Sequence, residues 1–134
     1  MTGQSYAGEL LPEEAWNLLA AEPGARLVDV RTPGEWQIVG LPELGTLGKD
    51  VLRLSWILQP GQPPNPAFVG ELARAATDRD APLLFICKSG ARSRAAAMAM
   101  TAAGYSRCYN VAEGFEGGRP GAGWKTKGLP WSQG

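Results

Sequence analysis

The sequence predicts an α/β fold: a central, mostly parallel sheet flanked by helices on both faces. Three observations carry that prediction. Short apolar runs of strand length alternate with stretches of helical periodicity along 134 residues. The strongest runs, LVDV and LLFIC, lack the polar alternation of a half-solvated strand, as expected of strands buried on both sides. Each of these two runs passes directly into a helix-opening signal, so strand ends feed helix starts.

In chain order, PEEAWNLLAA reads as the first helix. Pro12 suits its first position, Glu13 and Glu14 suit the positive end of its dipole, and EPG ends it. ARLVDV is a buried strand. Thr32 then caps, Pro33 opens a helix, and Glu35 falls at the capping-box spacing from Thr32. From Gly40 to Pro66 glycine and proline predict loops around one strand-like piece, DVLRLSW. Asn65 caps and Pro66 opens the next helix, with Phe68, Val69, Leu72, Ala73 and Ala76 at helical spacing. APLLFIC is the clearest strand, and the alanine-rich helix after it runs from about Ala91 to Ala103, closed by Gly104. SRCYNV is a further strand. One domain over residues 1–134 is expected, with its core at about residues 13–116 and a Gly/Pro-rich tail at 117–134 anchored by Trp124, Leu129 and Trp131.

Composition excludes several function classes. Thirteen basic residues balance thirteen acidic ones, so no general field draws nucleic acid or an anionic membrane. No apolar run approaches a membrane span and the start lacks a signal pattern, so a cytoplasmic location is expected. Two cysteines and no histidine make a metal site or other cofactor unexpected and remove the usual His-activated nucleophiles.

The stretch CKSGARS, after the clearest strand, carries the chemistry. A strand end turning into a helix start directs unpaired N–H groups inward, and the helix dipole adds positive character there. Ser89 can turn the chain, Gly90 permits a backbone conformation closed to other residues, and small Ala91 leaves the bowl open. Lys88 and Arg92 add charge. This setting favours the Cys87 thiolate without a base. Arg92 and Arg94 sit where acidic residues are normally preferred, at a cost of about 0.3–1 kcal/mol each. The compensating charge is the thiolate, an anionic substrate, or a carboxylate among Asp29, Glu35 and Glu113.

LVDVRTPGEW, CKSGARS, YNVAEGFEG and the closing GLPW, in this order from about Glu13 to Trp131, resemble the rhodanese family of sulfurtransferases, in a single-domain bacterial form. The resemblance implies a rhodanese-like parallel sheet and a loop from Cys87 to Arg92 wrapped around a transferred sulfur. It implies that Cys87 is the nucleophile, taking sulfane sulfur from thiosulfate or a related donor and passing it from a Cys87 persulfide to a thiol or cyanide. Lys88, Ser89, Gly90, Ala91, Arg92 and Ser93 would bind the substrate, with Asp29, Arg31 and Glu35 in support. The expected partners are a small anionic sulfur donor and that acceptor, with a sulfur-acceptor protein as the alternative. The chain departs from the family where VGLPELG replaces the frequent Gly-His-Ile-Pro turn.

Two other functions compete. Cys87 and Arg92 enclose four residues, one fewer than in cysteine phosphatases and related arsenate reductases, and the smaller ring suits one sulfur better than a tetrahedral oxyanion. A non-catalytic interaction module is the other, against which the retained Cys87 speaks. Asp29 and Arg31 read as a salt bridge locking strand to helix or as a charged bracket near the loop. Cys108 reads as a small core residue, with a resolving disulfide to Cys87 as the sharper alternative. Met98 and Met100 read as core, and Trp36 and Trp56 as packed.

Overall fold

The computed structural model describes residues 6–58, 61 and 63–133. Five parallel strands form the central sheet in the order β1 (Gly8–Leu10), β6 (Cys108–Val111), β5 (Leu83–Ile86), β2 (Arg26–Asp29) and β4 (Leu52–Arg53). The register pairs Leu83 with both Arg26 and Cys108, so the carboxyl ends of β2, β5 and β6 lie at one edge. In such sheets that edge is where ligands gather.

Alternation along the strands divides the core in two. Val28, Leu83 and Phe85 face α3 (Phe68–Ala75) and α4 (Ala91–Ala102), meeting Phe68, Leu72, Ala97 and Met100. Leu27, Leu84 and Ile86 point the other way, onto Ala15 and Leu19 of α1 (Pro12–Ala21) and onto Phe115 and Trp124. Helices therefore cover both faces. Among the described residues no helix is long and apolar enough to cross a membrane.

The helix starts follow their local chemistry. In α1 the Glu14 carboxylate accepts the Leu11 N–H at 2.7 Å. In α2 (Pro33–Ile38) Glu35 accepts the Thr32 N–H at 3.1 Å, as the spacing predicts, but the Thr32 hydroxyl donates to that same carboxylate at 3.0 Å. At the end of α4 the Gly104 N–H reaches Thr101 O and the Tyr105 N–H reaches Met100 O, the paired bonds of a left-handed helix stop.

The sheet begins with a strand that the sequence does not announce, Gly8–Leu10, because three residues show no period to read. Three sequence readings need correction. Helix α3 begins at Phe68 rather than Pro66: Asn65 Oδ1 accepts the Ala67 N–H at 3.0 Å, making a turn of the residues expected to open the helix. Only Leu52–Arg53 of DVLRLSW forms ladder; beyond it, the Leu54 and Trp56 N–H groups bond Asp29 O and Val30 O along the β2 edge. Met98 is 42% exposed, because the buried face of α4 carries Ala96, Ala97 and Met100 instead. Residues 59, 60 and 62 of the expected loop lie outside the described residues.

The tail is tied to the body at two points. Trp124 is fully buried, with its Nε1 donating to Pro130 O at 2.7 Å. Trp131 lies in β7 (Trp131–Ser132), antiparallel to β3 (Leu41–Pro42), edge-on to Phe115 and under Lys125 Nζ at 4.0 Å.

Candidate active site

Cys87 directly follows the last residue of β5, and its loop is held open from outside. The Phe115 N–H donates to Cys87 O at 2.8 Å, and the Glu116 and Gly117 N–H groups donate to Lys88 O at 3.0 and 3.2 Å. These bonds turn the loop carbonyls away from the sulfur. The clamp needs glycine: at Gly114, with φ 67°, an added Cβ would lie 2.5 Å from Lys88 O and 2.7 Å from Cys87 O. Within the loop, Gly90 at φ 114° caps α4, and a Cβ there would meet Ala112 O at 2.8 Å.

With the carbonyls turned out, donors face the sulfur. The Gly90 N–H reaches Cys87 Sγ at 3.1 Å and Ser93 Oγ lies 3.2 Å from it. The helix start adds Ala91, Arg92 and Ser93, whose N–H groups have no acceptor one turn back, and its dipole. Ser93 Oγ is also 2.5 Å from Asn110 Oδ1, so its single proton has two acceptors. Asn110 is fixed in turn, its Nδ2 donating to Gly90 O at 3.1 Å and to Glu9 Oε1 at 2.9 Å. Sequence reasoning missed both Asn110 and Glu9. An amide inside the strand CYNV was the available signal for Asn110, since a buried polar side chain requires a partner.

Of the compensating charges the sequence left open for Arg92, the one it meets is the carboxylate of Glu35. Arg92 Nη1 and Nη2 bond Glu35 Oε1 and Oε2 at 2.8 and 2.9 Å, a bidentate pair, half-buried on both sides. Burial works to raise the Glu35 pKa, but the Arg92 and Thr32 hydrogen bonds outweigh it and hold the carboxyl down at about 2. The same hydrogen bonding raises the Arg92 pKa, against burial. Arg94 pairs with Glu9 at 3.4 Å, a partner not among those considered from sequence. Among the described residues Lys88, exposed beside the nucleophile, has no carboxylate within ion-pair distance.

Asp29 and Arg31 pair with each other, both fully buried, through Arg31 Nη2 at 2.6 Å and Nε at 3.0 Å. Arg31 also donates to Gly40 O at 2.8 Å and lies 4.3 Å over the Phe115 ring. It thereby braces the residue whose N–H holds Cys87 O. Ser89 and Ala91 are exposed. Trp56 packs edge-on to Phe68 at 5.1 Å, whereas half-buried Trp36 lies under Arg53. Cys108 pairs across the sheet with Leu83, four residues before Cys87, which separates the two cysteines by roughly 13 Å along the strands. A disulfide needs Cα atoms within about 7 Å, so this fold does not join them.

A family model described as the STR4 middle domain matches residues 8–134. In structure the chain is similar to Rv0390 from M. tuberculosis, with a TM-score of 0.85 and 44% identity over 96% of this chain and 99% of that one. It is similar to the polysulfide-sulfur transferase homodimer from Wolinella succinogenes, with a TM-score of 0.67 and 28% identity over 92% of this chain and 77% of that one. In sequence it is 30% identical to the thiosulfate sulfurtransferase GlpE of Actinobacillus pleuropneumoniae serotype 3 (strain JL03), covering 91% of this chain and 90% of that protein. With its five-stranded parallel sheet and its cysteine loop at the sheet's carboxyl edge, the chain belongs to the rhodanese-like family.

Proposed function

We propose that the chain is a sulfurtransferase that moves sulfane sulfur through a persulfide on Cys87. The observation that carries this reading is the Gly90 N–H and Ser93 hydroxyl converging on Cys87 Sγ at the start of α4, in a loop whose carbonyls are turned away. Donors preset around a sulfur stabilise it as an anion, and stabilise an anionic persulfide in the same place. Sulfurtransferases among the relatives support the same reading.

In the first half-reaction the Cys87 thiolate attacks the outer sulfur of thiosulfate or a related donor. A sulfur–sulfur bond forms to Cys87, the donor's own bond to that sulfur breaks, and the electron pair leaves with sulfite or a thiolate. In the second, a thiolate or cyanide attacks the outer sulfur and Cys87 leaves as thiolate. The cycle is ping-pong and needs no general base. Ser93 adapts to each stage: its hydroxyl turns from Asn110 to the sulfur when negative charge rests there.

Intact-mass measurement after incubation with thiosulfate tests the proposal. One added sulfur is expected on the wild type, removed by cyanide and absent from Cys87→Ser. Sulfur retained by the Ser variant would take Cys87 out of the mechanism.

A further inference from the structure

Resting on a Cys87 persulfide, we propose that Glu35 is a specificity residue that selects a singly charged organic persulfide, R–S–S⁻, over dianionic thiosulfate as donor. Two independent observations point to it. The first is charge. The guanidinium best placed to attract a dianion is engaged at both nitrogens by Glu35, and Arg94 by Glu9, which leaves Lys88, of the three cations between Cys87 and Arg94, without a carboxylate partner among the described residues. A thiolate and a dianion facing one lysine carry two uncompensated negative charges; a thiolate and a monoanion carry one. At a partly buried site that difference is weakly screened.

The second is the cleft beside the pair. A cavity of about 340 Å³ is lined by Thr32, Pro33, Ser55, Ile57 and Leu58, and Thr32 bonds Glu35 directly. Pro33, Ile57 and Leu58 offer an apolar wall to an organic group. Thiosulfate has no such group to place there. The transfer balances: the Cys87 thiolate bonds the terminal sulfur, the S–S bond joining that sulfur to the R–S sulfur breaks, and R–S⁻ departs with the pair and takes a proton from water.

The test compares the kcat/KM for sulfur loading from thiosulfate and from the persulfide of N-acetylcysteine methyl ester, whose single charge is on the terminal sulfur, in the wild type, Glu35→Gln and Arg92→Gln. The wild type is expected to prefer the persulfide by about tenfold or more. Glu35→Gln leaves Arg92 uncompensated and is expected to shift the ratio about tenfold toward thiosulfate. Arg92→Gln leaves Glu35 uncompensated and is expected to shift it the opposite way. Damage to the loop would move both variants in one direction, so opposed shifts separate selection from misfolding. Equal use of both donors by the wild type, or shifts of the same sign, overturns the proposal while leaving the Cys87 persulfide intact. No sulfur on Cys87 from either donor removes both.

Discussion

Cys87 and Cys108 are free thiols of nearly equal burial, at 1% and 0% exposure, one just past the end of β5 and the other at the start of the adjacent β6, yet they sit in opposite chemistry. Cys87 stands at the carboxyl edge, where β5 turns into α4 and the backbone offers donors. Cys108 begins β6 at the other edge, packed with Leu83, Met100 and Tyr105 on the α3 and α4 side. Its thiol reaches Tyr105 O at 3.8 Å, and burial raises its pKa against a smaller lowering by the Thr101 side chain. Burial alone therefore says nothing about a cysteine's use. What differs is which end of a strand it occupies and whether N–H groups or side chains surround it.

Substitution separates the two most sharply. Cys87→Ser is expected to lower sulfur transfer by about a thousandfold or more, without a comparable loss of stability. Cys108→Ala is expected to leave kcat within about twofold and to cost about 1–2 kcal/mol in denaturant unfolding, as a small cavity in a packed core does. Equal activity loss in the two variants would erase the distinction.

A smaller break comes from the loop itself. Gly90→Ala forces a side chain into a left-handed backbone position and against Ala112 O, displacing the N–H that faces the sulfur. Transfer is expected to fall by about a hundredfold, the scale for losing one preset donor. A rate within threefold of wild type would mean that this N–H does not matter.

How much of this was legible follows from where each signal resides. Cys87, Gly90 and the strand-to-helix turn announce themselves because their chemistry is local: one apolar run, one glycine, one helix start. The Thr32–Glu35 contact is local too, and was visible as a spacing. Arg92 with Glu35 joins residues far apart in sequence, so sequence could name Glu35 as one candidate partner but not choose it. Glu9 and Asn110 were missed for the same reason, since β1 is three residues long and its place beside β6 is a fact of topology rather than of pattern. The clamp on Cys87 O and Lys88 O depends on Gly114 and Phe115, which a sequence shows only as part of a turn-rich segment.

That missed network supplies the next prediction. Asn110→Ala removes the amide that orients Ser93 and holds Gly90 O. A loss of about tenfold in kcat is expected, with about 1–3 kcal/mol of stability from the unpaired groups left behind. Ser93→Ala should lower kcat similarly, and the double variant should lose less than the product of the two, because both act through one hydroxyl. Additive losses would dissociate Asn110 from the sulfur.

The smallest effect concerns acid, and it tests whether the Arg92 pair supports the fold around Cys87 rather than the other edge. The Glu35 carboxyl, near 4.5 when free, is held at about 2 in the folded chain. A carboxyl lowered on folding contributes stability that is fully present above pH 4.5 and is lost as pH falls from about 4.5 to about 2. The size is at most about 3 kcal/mol, and less for a pair still touched by solvent. Glu35→Gln should therefore be less stable than the wild type at neutral pH by a margin that narrows over that interval, measured as the denaturant midpoint against pH. Cys108→Ala, at the opposite edge, should keep a constant margin over the same range. A Glu35→Gln margin that does not change with pH would mean that the pair holds no stabilising charge, and that Glu35 matters to the loop only through its shape.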